Sequence, residues 1–354
     1  MIFGFFQKAL WLAAGLVAGL AQAAGADSAP ADGLHAKYGE LRGQLANNQY
    51  RQPLYLDSSE ATDGVAGNVY ALIDHPFETA AGALIVPGSW CEILILHFNT
   101  KYCRASAGRS GSILNVSIGE SHDQPLAQAH PVEFAFRVVA RHASYLQVKL
   151  NADHGPFSTR DYRFVFEAVP LEDGRTFIHL SYAYGFGTMG RLAMQAYLGT
   201  IGRNKVGFTV AGTQADGQPL HIGGTRGVVE RNTMRYYLAI ESYMGALSAP
   251  PQAQLEKRLR DWFAAAERYP RQLHEMEQGE YLDMKRREHL RQQAGLSGGL
   301  LQLGLLFQPL AFQLDEFLAD VRLVHENVLQ RGLGLIPVYP GVGELRLDGG
   351  LARV

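Results

Sequence analysis

Between Val132 and Tyr184 the sequence reads Val132-Glu133-Phe134-Ala135-Phe136-Arg137-Val138, then Leu146-Gln147-Val148-Lys149-Leu150-Asn151, then Tyr162-Arg163-Phe164-Val165-Phe166-Glu167, then Ile178-His179-Leu180-Ser181-Tyr182-Ala183-Tyr184. In each run the large apolar and aromatic residues fall on alternate positions. A period of two places them on one face of an extended strand. Parallel strands covered on both sides tend to be continuously apolar, so strict alternation favours antiparallel pairing. The separators agree: His142-Ala143-Ser144, Gly155-Pro156 and Asp173-Gly174 are short enough for hairpins.

Outward from this core, Tyr102 to Ala107 and Ile113 to Ile118 read as short strands, and Val65 to Ile73 as another. Pro76 opens a brief helix with Asp74 as a cap, and a second follows Pro87, offering Trp90, Ile93 and Leu94 as an apolar face. Downstream, Met189 to Ile201 is helical, Lys205 to Val210 and Pro219 to Ile222 make a hairpin around Asp216-Gly217, and Val228 to Leu247 is a longer helix. Further helices follow Pro250-Pro251 and Pro270, the last running to about Arg291.

The ends read differently. Residues 1–26 carry Lys8, an uncharged apolar run from Ala9 to Leu20 and small residues at Ala21-Gln22-Ala23, the pattern of an export signal. The run is shorter than the roughly 20 residues needed to cross a bilayer. The expected location is therefore periplasmic or extracellular. Residues 27–64 read as a mobile leader with one short helix around Leu34 to Leu45, residues 65–291 as the α+β domain with its C-terminal helices, and residues 292–354 as a Gly- and Leu-rich tail without clear periodicity. Outside a reducing cytosol Cys91 and Cys103 are free to pair; the alternative is two buried thiols that never meet.

The order of one strand, two short helices, about six more strands and a helix resembles the START-like, or helix-grip, superfamily. The resemblance covers roughly Val65 to Leu247 and is one of architecture, without a diagnostic motif. It implies a curved antiparallel sheet wrapped on a long helix, around an apolar cavity for a lipid or other hydrophobic small molecule. Trp90, Phe134, Phe136, Phe164, Phe166, Tyr182 and Tyr184 would line that cavity, with His179 and Arg235 as polar anchors. This chain has two candidates for the gripped helix, Met189 to Ile201 and Val228 to Leu247. Phe and Tyr stripes are also what a filled core looks like, so a packed interior is an equal alternative.

Composition excludes other classes. The 354 residues are 47% apolar and 19% charged with a formal charge of -2, which supports neither disorder nor a nucleic-acid footprint. Two cysteines cannot make a four-thiolate zinc site, and the histidines show no metal-ligand spacing. Gly185-Phe186-Gly187-Thr188-Met189-Gly190 fits a dinucleotide fingerprint, but the strands before it alternate and no βαβ series follows, so the glycines read as a strand-to-helix turn. No cofactor is called for. Arg226, Glu230, Arg231 and Arg235, with Arg203 and Lys205, are the place to look for an anion clamp, against the reading that they are ion pairs on a helix surface.

Three functions follow as expectations. The first is an exported carrier of a hydrophobic or amphipathic molecule, touching membranes transiently. The second is an enzyme on a similar substrate, with His179 or Glu167 moving a proton. The third is an interaction protein with a full core and an exposed Trp262-Phe263 patch.

Overall fold

The computed structural model describes residues 29–109, 111–119, 124–188, 190, 191, 194, 198 and 205–294. Helix α1 spans residues 29–46. Strands β1 (Leu54–Ala61) and β2 (Gly64–Ile73) form a hairpin, followed by α2 (Phe77–Leu84) and α3 (Pro87–Leu94). Six strands follow: β3 (Thr100–Gly108), β4 (Gly111–Ile118), β5 (His130–His142), β6 (Tyr145–His154), β7 (Thr159–Pro170) and β8 (Thr176–Phe186). Helix α4 begins at Thr188, and its described residues extend to 198. A small hairpin of β9 (Val210–Thr213) and β10 (Pro219–His221) precedes α5 (Gly224–Ala246), α6 (Pro251–Ala266), the single turn α7 (Pro270–Leu273) and α8, residues 278–294.

Eight strands make one sheet in the order β1-β2-β8-β7-β6-β5-β4-β3, every neighbour antiparallel. The alternation in the sequence is realised as an inner face carrying Leu114, Val116, Phe134, Phe136, Val148, Leu150, Phe164, Phe166, Leu180 and Tyr182, all buried. Register shifts in β3, β5 and β7 insert extra residues, which bend the sheet around what it covers.

What it covers is α5. This helix packs on β1, β2 and β8 and against α3 and α6. Of the two candidates in the sequence, Gly224–Ala246 is therefore the helix held by the sheet. It approaches closely because residue 67 is glycine: a Cβ there would lie 2.4 Å from Thr233 Oγ1. The helix is buried nearly all round, including Glu230 and Arg231, because distant segments answer its polar groups. Glu230 accepts from Ser58 Oγ (2.6 Å), the Phe208 and Thr209 amides (2.6 and 2.9 Å) and Thr209 Oγ1 (2.7 Å).

The reading of residues 27–64 as a mobile leader needs correction. Ala31, Leu34, Leu41 and Leu45 of α1 bury against Leu72, Tyr145, Val169 and Phe177 on the outer face of the sheet, and β1 is its edge strand. Both faces of the central strands are thus covered. Cys91 of α3 and Cys103 of β3 form a disulfide with Cα atoms 5.1 Å apart. The Cys103 amide also donates to Gln292 Oε1 of α8 (3.0 Å), and Lys285 donates to the carbonyls of His97, just before β3, and Thr100, at its start (2.5 and 3.0 Å). Trp262 and Phe263 are buried, so they present no surface to a partner. No helix among the described residues is long and apolar enough to cross a membrane. The export-signal reading of 1–26 and the tail after 294 lie outside the described residues.

Candidate functional site

The inner face of β7 and β8 meets α5 in a cluster of rings. Tyr182 lies 4.7 Å from Phe164 and 5.2 Å from Tyr236 of α5, and Phe164 lies 4.8 Å from Tyr236, centre to centre. Tyr184 stacks on Tyr162 at 5.4 Å with an 18° interplanar angle, and Phe134 closes the group edge-on to Tyr162 and Phe164. Offset and edge-to-face contacts of this kind are the favourable geometries for aromatic pairs.

Two backbone features set Tyr162. The bulge in β7 passes through Asp161, whose φ of +53° is left-handed, and returns Tyr162 to the inner face opposite Tyr184. Gly155 then leaves room for the ring, since a Cβ there would lie 2.3 Å from it. The Tyr162 hydroxyl is satisfied by Thr159 Oγ1 at 2.6 Å.

The other three phenols differ. Tyr182 and Tyr184 are 5% and 4% exposed, yet among the described residues neither hydroxyl, nor that of Tyr236, has a hydrogen-bond partner. Burial first, and the neighbouring phenols second, push the Tyr182 and Tyr236 hydroxyls well above the usual phenol range, so they remain protonated donors. Tyr184 is raised the same way, with Glu60 adding to the effect. Val228, Asn232 and Tyr236 recur every four residues along one stripe of α5, and all three keep accessible surface on a helix otherwise largely buried. At the open end of β8, Phe186 contacts Tyr184 at 6.3 Å and joins Glu60, Ala61, Thr62, Arg191, Met194 and Thr225 around a cleft of about 150 Å³.

His97, in the loop before β3, stacks on Tyr236 at 5.2 Å. Its Nδ1 accepts from the Asn99 amide (3.2 Å), leaving Nε2–H to face Asn232 Oδ1 at 3.4 Å. Burial, then Arg235 and Lys285, hold its pKa well below the ordinary value, so the ring is neutral.

The structure separates the residues that the sequence proposed as a cavity lining. Phe134, Phe164, Tyr182 and Tyr184 come together with Tyr162 and Tyr236. Phe136 is on the same face, while Phe166 sits toward Trp90, whose Nε1 donates to the Leu84 carbonyl (2.8 Å). His179 is elsewhere. It lies on the outer face, stacked on Tyr70 at 4.3 Å, with Nδ1 2.8 Å from Glu167 Oε2 and Nε2 3.1 Å from Asn68 Oδ1. Tyr145 and Gln147 also donate to Glu167, and Asn68 to Asp57. His179 and Glu167 therefore cannot serve a reaction inside the tyrosine cluster.

Arg235 is a second correction. It points away from the sheet, donating to Glu275 Oε1 (2.7 Å) and the Leu273 carbonyl (3.3 Å). Arg231 also binds Glu275 and the Gln272 carbonyl, and Lys205 binds Glu275 Oε2 (2.6 Å). Three members of the expected anion clamp, Arg231, Arg235 and Lys205, are closed on this internal carboxylate, while Arg226 donates to Ser58 Oγ (3.0 Å) beside Glu230; Arg203 lies outside the described residues. Nor does Gly185 to Gly190 join a parallel sheet: β8 pairs antiparallel on both sides. Tyr236, Asn232 and His97 were missed as lining residues, though the four-residue spacing of Asn232 and Tyr236 was a signal available in the sequence.

No family model and no curated protein matches this chain. Among solved structures, a point mutant of norcoclaurine synthase from Thalictrum flavum is similar at 14% identity over 40% of this chain and 90% of that chain, with a TM-score of 0.29. Ara h 8.0201 is similar at 11% over 55% and 99%, with a TM-score of 0.31. A conserved protein from Geobacillus kaustophilus gives 13% over 51% and 95%, and 0.30. Scores of this size carry no argument; the strand order and the held helix do. The chain has the helix-grip fold. Its resemblance to the START-like superfamily is one of architecture, and the site must be argued from its own residues.

Proposed function

We propose that the protein binds a hydrophobic or amphipathic small molecule between the inner face of the sheet and α5, and that it does so as an exported carrier of lipid or lipid-like cargo. The observation that carries the reading is the trio of phenol hydroxyls, Tyr182, Tyr184 and Tyr236, without partners among the described residues in an otherwise apolar interior. The Tyr237 hydroxyl is enclosed without a partner, whereas these three keep access to open space, so a polar group that enters beside them can reach them. A ligand with one polar group would satisfy them while its body covers Phe134 and Phe164. Export is supported by the charge and apolar pattern of residues 1–26 and by the Cys91–Cys103 bridge, which belongs to oxidising compartments.

The test compares the mass of the purified protein in its native state with its mass after organic extraction, followed by titration with a fluorescent sterol and a fluorescent fatty acid. A mass difference or saturable uptake is the expected result. Absence of both refutes the carrier reading.

A further inference from the structure

We infer that the cargo is uncharged where it meets the tyrosines, presenting a hydroxyl or a carbonyl, and that ionised lipids such as fatty acids and phospholipids are selected against. This rests on the carrier reading and narrows it to a chemical class. The argument is an account of charge around the site. The ionisable side chains in the first half of α5 are already engaged: Arg226 donates to Ser58 Oγ, Glu230 accepts from Ser58 and the Phe208 and Thr209 amides, and Arg231 and Arg235 pair with Glu275. Lys205 shares that same carboxylate. The one imidazole against the cluster, His97, is neutral with its Nδ1 occupied.

What remains is a set of neutral dipoles, the phenols and the Asn232 amide. At the mouth, Glu60 and Arg191 face the same cleft with opposite signs. The charge felt at Tyr184 is that of Glu60, which is negative; that felt at Tyr236 is Arg235, whose guanidinium is neutralised by Glu275 2.7 Å away. A carboxylate or phosphate carried past the mouth, where Arg191 sits beside Glu60, and in among the tyrosines would lose its hydration and meet only neutral dipoles there, a cost that they repay only in part. A hydroxyl or carbonyl loses far less and accepts directly from a phenol O–H. The aromatic walls add contact area without distinguishing the two classes.

The experiment uses the full chain and a matched pair of probes, 2-naphthol and 2-naphthoate, which share a ring system and differ in charge at pH 7. Affinities are measured by calorimetry. Naphthol is expected to bind at least about tenfold more tightly than naphthoate. Tyr182→Phe, Tyr184→Phe and Tyr236→Phe should each weaken naphthol by roughly 2- to 10-fold, while leaving naphthalene unchanged. Tyr237→Phe is the control: Tyr237 is buried, and its hydroxyl faces no accessible space. Naphthoate binding as tightly as naphthol, or naphthol affinity indifferent to all three substitutions, overturns the inference and leaves the carrier reading standing. If neither probe binds, the copurified cargo decides: an ionised head group overturns the inference alone, and a neutral one supports it. No cargo and no uptake of any probe removes both.

Discussion

Glu275→Gln should be among the most destabilising single substitutions in this protein, although residue 275 lies in an irregular segment between α7 and α8. The carboxylate is 20% exposed, while Arg231 and Arg235, which it neutralises, are 4% and 5% exposed. Burial alone would raise its pKa; Arg235 and Arg231, and then Lys205, more than reverse this and bring it from the usual 4.5 to about 2. That is a roughly 300-fold change in proton affinity, or ~3 kcal/mol of stability. Breaking a buried pair and stranding its cations costs ~3–5 kcal/mol by an independent route. The two figures meet near 3.

The sign fixes the pH window. Because the folded pKa lies below the unfolded one, this stability is complete above pH 4.5 and is lost as pH falls toward 2. Glu167 behaves alike: burial raises its pKa, but hydrogen bonds from His179 and Tyr145 bring it to about 2. Urea unfolding followed by far-UV circular dichroism at a series of pH values from 7 to 2.5 measures both. Glu275→Gln should lower the pH 7 stability by ~3 kcal/mol with an unchanged denaturant slope, and flatten the acid limb by the share that Glu275 contributes. A loss below ~1 kcal/mol, as for a surface pair, or an acid limb superimposable on that of the parent protein, would refute the reasoning.

Two further perturbations follow from the packing. Replacing Cys91 and Cys103 together by Ala removes a loop constraint of sequence separation 12, and should cost ~3 kcal/mol on the chain-entropy account; equal stability of the reduced and oxidised parent in denaturant would count against it. Gly67→Ala places a methyl 2.4 Å from Thr233 Oγ1, which should destabilise by ~1–3 kcal/mol. The double variant with Thr233→Ala should recover part of that in a thermal melt, and an additive double loss would show that the helix does not press on this residue.

Much of the fold was legible because one sheet face is aromatic. Phe134, Phe136, Phe164, Phe166, Tyr182 and Tyr184 alternate with polar residues strictly enough to fix strand type and pairing sense. The helix α1 is expected around Leu34 to Leu45, but its docking on the sheet is not, because Gly33, Gly39 and Gly43 weaken the helical pattern and the stretch reads as a leader. Strand β1 is not expected at all. In β1 the alternation lasts only from Leu54 to Leu56 before the edge strand turns polar at Asp57 to Glu60. The held helix was ambiguous because its polar residues are answered by residues 58, 208, 209 and 275, partners far away in sequence that no local pattern announces. The resemblance makes His179 a polar anchor of the cavity, although the period of two in β8 sets it opposite Leu180 and Tyr182. Burial does not distinguish two covered faces, and the cover on its face was α1, the helix that had been read as part of a leader.

The contrast between those two faces is itself the strongest reason to regard the inner one as a binding surface. On the outer face a chain of polar groups runs from Asp57 through Asn68 and His179 to Glu167, Tyr145 and Gln147, and each member has a partner. The outer network lies under α1, where satisfied polar groups hold one packing arrangement. A few ångströms through the same strands, the alternation turns His179 into Leu180 and Tyr182, and the phenols that follow have no such partners among the described residues. The same β8 backbone carries both sets, so a general shortage of donors and acceptors does not explain the difference. Hydroxyls without a protein partner do not bond the core together, so Phe at 182, 184 and 236 would make the stripped interior more apolar and more stable. A cargo that meets the hydroxyls gains their hydrogen bonds on binding. The triple Tyr→Phe protein should therefore be more stable than the parent when both are stripped of cargo, and should gain less from adding it; a triple variant that is less stable when stripped would mean the phenols are there to hold the core.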